Sequence, residues 1–342
     1  MYIMNKNKII LLFLFLCLIF FNNYEIELYN KPYDKIKEYN IEVKNFNNIS
    51  ISYGLNNNNF YPTLVSITSI LENANNSTFY IINILVSLRR KDFSEKNKRK
   101  FKNLEKKYKR CEIIIFRIND NLFKYANTKR YPVSAYYRLL LADLLPNTKR
   151  IIYLDGDTIV LNDLTEMINL EMNNNIIMGF IDNSYYLAED FGIKTFKYIT
   201  TGVLLINLEI MKKENITYKF FNFMKKSNNL LKQEDQTIIN IVLNERIGIL
   251  PPKYGMWDFK NITLLRLHNN YGNYSKKVSC YKDSQLINGL KYPYIIHYVF
   301  NKPYKLKNYL LDSRFIIIWL YYAQKTEEYK NIINFYHFNK LK

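Results

Sequence analysis

Apolar and polar positions along the body of this chain follow two rhythms. Ile49 to Gly54 (ISISYG), Phe79 to Leu88 (FYIINILVSL), Glu112 to Ile118 (EIIIFRI), Ile151 to Leu154 and Gly202 to Leu208 (GVLLINL) are short and strongly apolar. Runs of that length and composition predict strands buried on both faces. A further strand is expected in Tyr294 to Val299. Helix-period segments lie between them. Pro62 suits the first turn of a helix running to Leu71. Phe93, Phe101, Leu104 and Tyr108 are spaced to give one apolar face to an otherwise basic crossover helix. Ala135 to Leu145 predicts a helix closed by Pro146, and another lies near Asp235 to Leu243. Alternation of this kind predicts an α/β domain with a mainly parallel sheet. Ligands of such sheets bind outside the carboxyl ends of the strands.

The two ends of the 342-residue chain break the alternation. Ile9 to Phe21 is a run of 13 apolar residues preceded by Lys6 and Lys8. As a helix it would span roughly 20 Å, short of a ~30 Å hydrocarbon core. Asn22-Asn23-Tyr24-Glu25 follows where a signal peptide would have small residues. The preferred expectation is therefore a short uncleaved anchor, with a cleaved signal as the alternative. The other end carries FIIIWLYYA (Phe315 to Ala323) inside a basic, aromatic-rich tail, expected to pack as a helix on the main domain.

Charge sharpens this picture. The formal net charge is +19. Residues 89–110 contribute a net +9 and residues 302–342 a net +5, so two segments hold most of the excess. A solvated helix face is the preferred reading of residues 89–110; a nucleic-acid footprint is the alternative. Residues 151–190 contain no Lys, Arg or His but eight carboxylates: Asp155, Asp157, Asp163, Glu166, Glu171, Asp182, Glu189 and Asp190. That island points to a cation site. Three Cys are too few for a disulfide framework or a Cys-based zinc site.

Within the island, Asp155-Gly156-Asp157 follows an apolar strand. Two carboxylates one residue apart, together with phosphate oxygens, suit a hexacoordinate Mg²⁺ or Mn²⁺. A turn-forming or helix-capping role is the alternative for such a pair taken alone.

The context of the pair is more specific. Ser134 to Pro146 (SAYYRLLLADLLP) followed by Ile151 to Leu161 (IIYLDGDTIVL) strongly resembles glycosyltransferase family 8. The resemblance continues through Gly202 to Leu208, Gln233 to Gln236, Ile296-His297-Tyr298 and Lys302-Pro303-Tyr304, covering roughly residues 49–305 in order. It implies a GT-A-type nucleotide-diphospho-sugar transferase fold and retaining transfer of glucose or galactose from a nucleotide-sugar, usually UDP-linked, with Mn²⁺ or Mg²⁺. It further implies Asp155, Asp157 and His297 as metal ligands, and Arg138 and Lys302 as donor contacts beside Asp155. Asp235 and Gln236 correspond to the pair beside the donor sugar. Asn56, Asn58, Thr200 and Thr201 occupy the remaining donor-binding positions.

Three departures accompany these matches. Asn56 to Asn59 stands where the family usually has Asp-Asp-Asn-Tyr, Thr200-Thr201 stands where it has Asn-Ser/Ala, and Phe300 replaces a glycine in a shortened His-to-Lys motif. Gln236 is a poor nucleophile, so same-face attack by the acceptor is favoured over a covalent sugar–enzyme intermediate.

The expected division is 1–23 as hydrophobic anchor or signal, 24–47 as linker, 48–305 as catalytic domain and 306–342 as helical tail. The expected partners are a nucleotide-sugar, a glycan or lipid-linked acceptor and a membrane surface, with no nucleic acid. The expected location is membrane-associated through residues 9–21, on the cytoplasmic face of the inner membrane in a bacterium or in a Golgi-type lumen in a eukaryote. A catalytically silent sugar-nucleotide-binding homologue is the main alternative, ahead of a nucleotidyltransferase and a basic nucleic-acid-binding protein.

Overall fold

The computed structural model describes residues 46–89, 93–182, 198–227, 234–257, 281–299, 302–304 and 313–336. The chain opens with β1 (Asn47–Leu55), α1 (Phe60–Glu72), β2 (Thr78–Ser87), α2 (Glu95–Tyr108) and β3 (Cys111–Ile118). After a 3₁₀ stretch at Val133–Leu140 come α3 (Leu141–Leu144), β4 (Arg150–Leu154), β5 (Thr158–Val160), α4 (Thr165–Ile168) and β6 (Ile177–Ile181). Next are β7 (Ile199–Asn207), α5 (Leu208–Lys213), α6 (Ile216–Ser227), α7 (Glu234–Leu243), β8 (Ile247–Ile249) and β9 (Met256–Trp257). The last elements are α8 (Asp283–Lys291), β10 (Ile295–His297), α9 (Ser313–Lys325) and α10 (Tyr329–Phe335).

Among the described residues, seven strands form one sheet in the order β3-β2-β1-β4-β7-β6-β8, and β5-β10-β9 form a second. In the large sheet only β7 runs against its neighbours, β4 and β6. The expected mainly parallel α/β architecture is thus present. Its apolar strands are covered on both faces: Ile51, Ile82, Ile152 and Leu205 are buried in one apolar cluster, and Leu85, Ile151, Leu204 and Ile206, which point the other way, are buried in a second.

The basic crossover helix is α2. Ser94 caps it by accepting from the Asn97 N–H at 3.2 Å. Glu95 sits in its first turn, Lys106 and Lys107 in its last, and Lys109 ends it at φ 54°. Phe101 and Leu104 are buried beneath it, as their spacing predicts.

Two expected elements differ. The predicted helix at Ala135 to Leu145 is mostly 3₁₀, with α-helix only at Leu141–Leu144. The tighter winding brings residues three apart over one another, and Arg138 Nε donates to the Ala135 carbonyl at 2.9 Å. The strand predicted at Tyr294 to Val299 is shorter and belongs to the small sheet, antiparallel to β5.

The tail folds back as α9 and α10. Phe315, Trp319, Tyr322 and Ala323 are buried while Ile317 and Tyr321 are exposed, so the apolar run has one inward face. That face joins Val65 of α1, Ile159 of β5 and Ile296 of β10 in one apolar cluster. Tyr298 donates to the Phe315 carbonyl at 2.7 Å.

The expected membrane-associated location, at an inner-membrane face or in a Golgi-type lumen, is corrected. Among the described residues no helix is long and apolar enough to cross a membrane. Residues 9–21, on which that expectation rested, lie outside the described residues.

Candidate active site

A cavity of about 930 Å³ opens at the carboxyl ends of β1 and β4, between β7, α7 and the chain around His297. β4 ends at Leu154, and the next residue, Asp155, is held by its N–H donating to the Gly202 carbonyl at 2.7 Å. Asp155, Gly156 and Asp157 then form a turn rather than a strand continuation. Gly156 is required there, because a Cβ would lie 2.3 Å from Thr63 Oγ1. β10 delivers His297 from across the small sheet, pairing opposite Thr158. Its ring lies against Gly202, where a Cβ would meet Cε1 at 2.0 Å.

These elements bring together ligand atoms of Asp155, Asp157 and His297 within 4.8 Å of one another. His297 Nε2 lies 3.3 Å from Asp157 Oδ1 and 3.9 Å from Asp155 Oδ2. Among the described residues, the buried atoms Asp157 Oδ1 and His297 Nδ1 have no hydrogen-bond partner. Two carboxylates and an imidazole with unfilled acceptors fit a divalent cation of the Mg²⁺ or Mn²⁺ kind.

Basic groups neutralise the carboxylates from behind and above. Arg138 is 4% exposed; its Nη2 donates to Asp155 Oδ1 at 2.9 Å and its Nε lies 3.2 Å from Asp235 Oδ2. It also donates to the Thr201 carbonyl, and its guanidinium lies 4.1 Å from the Tyr153 ring centre. Burial opposes its charge, but Asp155 and Asp235 outweigh that and hold its pKa above the ordinary value. This arginine thus forms a buried bridge between two acids. Lys302 meets Asp157 Oδ2 and the Tyr298 carbonyl. Burial would raise the Asp157 pKa, yet Lys302 and His297 hold it below the ordinary carboxylate range.

The other expected residues line the same cavity: Asn56, Asn58, Thr200, Thr201, Asp235 and Gln236. Asn56 Oδ1 accepts from the N–H groups of Asn58 and Asn59 at 2.9 and 3.1 Å, which shapes the loop after β1. Thr201 Oγ1 donates to Asp235 Oδ2 at 3.1 Å. Burial, offset in part by Arg138, pushes the Asp235 carboxyl up to about 6. Gln236 Nε2 donates to Asp182 Oδ2 at 2.9 Å.

Spacing alone does not single out Asp182 or Tyr153, both of which line the cavity. Asp182 lies in the acidic island, and Tyr153 stands two residues before the Asp pair within the Ile151 to Leu161 stretch, but neither residue type there announces a role of its own. Glu234, within the quoted Gln233 to Gln236 stretch, carries no expected role and is not among the lining residues. It is 1% exposed, has φ 37°, and its Oε2 has no partner among the described residues. Burial and the adjacent Asp235 push its carboxyl up to about 7. Among the described residues, Asp155 and Asp157 alone of the acidic island join His297 in this cluster. Asp163 accepts from the Asn75 and Thr165 N–H groups and the Tyr80 hydroxyl, and Glu166 pairs with Lys253, both outside this cavity. Glu189 and Asp190 lie outside the described residues.

The sequence profile described as glycosyl transferase family 8 matches residues 50–307. The chain belongs to that family. A putative glycosyltransferase of Haemophilus influenzae is 30% identical over 219 residues, covering 59% of this chain and 64% of that protein. A lipopolysaccharide 1,2-glucosyltransferase of Escherichia coli is 29% identical over 216 residues, covering 60% and 61%. These matches span about three-fifths of the relatives' length. Among solved structures, the galactosyltransferase LgtC with donor and acceptor sugar analogs superposes with a TM-score of 0.65 at 17% identity, covering 83% of this chain and all of that one. The apo bifunctional glycosyltransferase WbbM gives 0.65 at 20% identity, covering 92% of this chain and 58% of that one. The fold of this family-8 chain is therefore GT-A-like.

Proposed function

We propose that the chain is a metal-dependent retaining glycosyltransferase moving glucose or galactose from a nucleotide-sugar, UDP-linked, to a glycan or glycolipid acceptor. The observation that carries this reading is the Asp155–Asp157–His297 cluster at the carboxyl end of the sheet, inside a cavity large enough for a nucleotide-sugar. The LgtC complex, with donor and acceptor analogs, and the lipopolysaccharide glucosyltransferase relative support the substrate class.

Asp155, Asp157 and His297 would hold Mn²⁺ or Mg²⁺, which when bound offsets diphosphate charge. Arg138 fixes Asp155 and Asp235 in one geometry. Lys302 supplies a compact positive charge where leaving-group charge develops. Asp235 and Gln236 face the donor sugar from α7. The Asp182 carboxylate engages the Gln236 amide N–H, which orients the side chain; an amide so placed positions sugar hydroxyls and is a weak nucleophile. The acceptor hydroxyl oxygen then bonds to the anomeric carbon on the face that the diphosphate leaves, the bond from that carbon to the diphosphate oxygen breaks, and the departing oxygen takes the hydroxyl proton. The proposed catalytic unit is residues 48–305, with residues 306–342 as its tail.

The test is the purified chain incubated with a panel of sugar nucleotides and Mn²⁺, following donor hydrolysis and transfer to candidate glycans. Metal-dependent release of a nucleoside diphosphate from at least one donor is expected. Absence of turnover with every donor would overturn the reading and favour a catalytically silent homologue.

A further inference from the structure

The cavity wall opposite in character to the acidic cluster is aromatic, and the tail builds it. The Tyr304 and Tyr336 ring centres are 4.7 Å apart, Tyr336 and Phe335 are 4.8 Å apart, and Phe335 and Tyr61 are 5.2 Å apart. This line of rings starts beside the cation cluster, where Asp157 and Asp155 bear on Tyr304. It ends at Tyr61, two residues beyond the Asn56–Asn59 loop. Tyr304, Tyr336 and Phe335 line the cavity, as do Asn56, Asn58 and Asn59.

The rings differ in what they can offer a ligand. Tyr304 is 7% exposed, and Tyr153 is 1% exposed beneath Arg138. Tyr131 is open, but its charged neighbours are Arg130, Glu234, Lys302 and Asp155, which set it by the charged cluster rather than by the Asn loop. Phe335 is 50% exposed on the side of the Asn loop. The loop brings amide groups with both donors and acceptors but no ring of its own. A half-exposed planar apolar ring beside amides, set apart from a cation site by two ring contacts, matches a base joined to a diphosphate through a ribose.

We propose that Phe335 is the stacking surface for the nucleobase of the donor, with Asn58 reading the base edge. The inference rests on the nucleotide-sugar reading of the same cavity. It gives a helix outside the family-matched residues 50–307 a direct part in donor binding. It also assigns a purpose to the anchoring of α10. Ile332 is fully buried, and Glu328 just before the helix pairs with Lys100 of α2 at 2.5 Å, Lys100 lying over the Tyr61 ring at 5.1 Å.

Isothermal titration of the full chain with UDP, ADP, GDP and inorganic pyrophosphate, each with Mn²⁺, tests this. Phe335→Ala should weaken the preferred nucleoside diphosphate by about 10-fold or more, the size of one lost base–aromatic stack. Pyrophosphate affinity should stay unchanged, and Phe335→Trp should restore nucleotide affinity. Equal nucleotide affinity in Phe335→Ala and the unaltered chain would overturn this inference and leave the proposed function standing. Equal loss for nucleotide and pyrophosphate would also overturn it, by making Phe335 a prop for the fold. If the unaltered chain binds no nucleoside diphosphate more tightly than pyrophosphate, the inference and the proposed function both fall.

Discussion

The acidic cluster and the aromatic wall share one cavity but are assembled in opposite ways. Asp155 and Asp157 are two residues apart on one turn at the end of β4, and only His297 comes from a distance. The wall joins Tyr61 to Phe335, 274 residues away in sequence, through side chains on different helices. One region is charged, half-buried at Asp155 and Asp157 and braced by Arg138 and Lys302; the other is apolar, open at Phe335 and held by packing of α9 on α1. Local charge chemistry leaves a motif, whereas a packed wall leaves only an apolar pattern.

The largest effect is expected at the charged end. Asp157→Ala should reduce donor turnover by about 100-fold or more, since it removes a proposed metal ligand and leaves Lys302 and His297 without the carboxylate between them. Steady-state kinetics against Mn²⁺ concentration would show it, and turnover unaffected by the change would remove the cluster from the chemistry.

The wall should fail through stability instead. Trp319→Ala empties a fully buried site between the tail and β10, at a cost of about 3–5 kcal/mol. A denaturant midpoint within error of the unaltered chain would show that α9 is not part of the core.

Glu234 carries a smaller, pH-dependent effect. Its carboxyl is pushed up to about 7 from an ordinary value of 4.5, so the folded state holds its proton more tightly than the unfolded state. Its contribution is therefore favourable below pH 4.5 and is lost as pH rises through 7. Glu234→Gln should be more stable than the unaltered chain by about 1–2 kcal/mol at pH 8, with the difference closing toward pH 4.5. A difference independent of pH, measured by unfolding at several pH values, would contradict this.

The smallest effect concerns how the basic helix holds the wall. A double-mutant cycle with Lys100→Met and Glu328→Gln should give a coupling of about 1 kcal/mol, for a pair with side chains only 10% and 18% exposed. Zero coupling would return Lys100 to the solvated face expected from the charge pattern.

Much of the charged region was legible in sequence because strand ends and turn carboxylates are local features. The apolar runs located β1 to β4 and β7 within three residues at each end, and the Asp pair with His297 pointed to three side chains whose ligand atoms lie within 4.8 Å of one another. Arg138 was recognised, but its burial was not, because a helix pattern does not reveal the 3₁₀ winding that turns the side chain inward. Asp182 and Glu234 were hidden for another reason: an acid gains meaning only from what stands opposite it. The basic stretch at 89–110 was legible as a helix, while its contacts with the tail through Lys100, Asn103 and Lys107 depend on tertiary packing.

The central claim is that Asp155, Asp157 and His297 gather a divalent cation that holds the donor diphosphate. Its most direct test is the affinity of the unaltered chain for a nucleoside diphosphate, titrated with Mn²⁺ and again with a chelator. Binding should tighten at least ~10-fold with Mn²⁺, and Asp155→Asn with Asp157→Asn should abolish that gain. Equal affinity with and without the metal would contradict the claim.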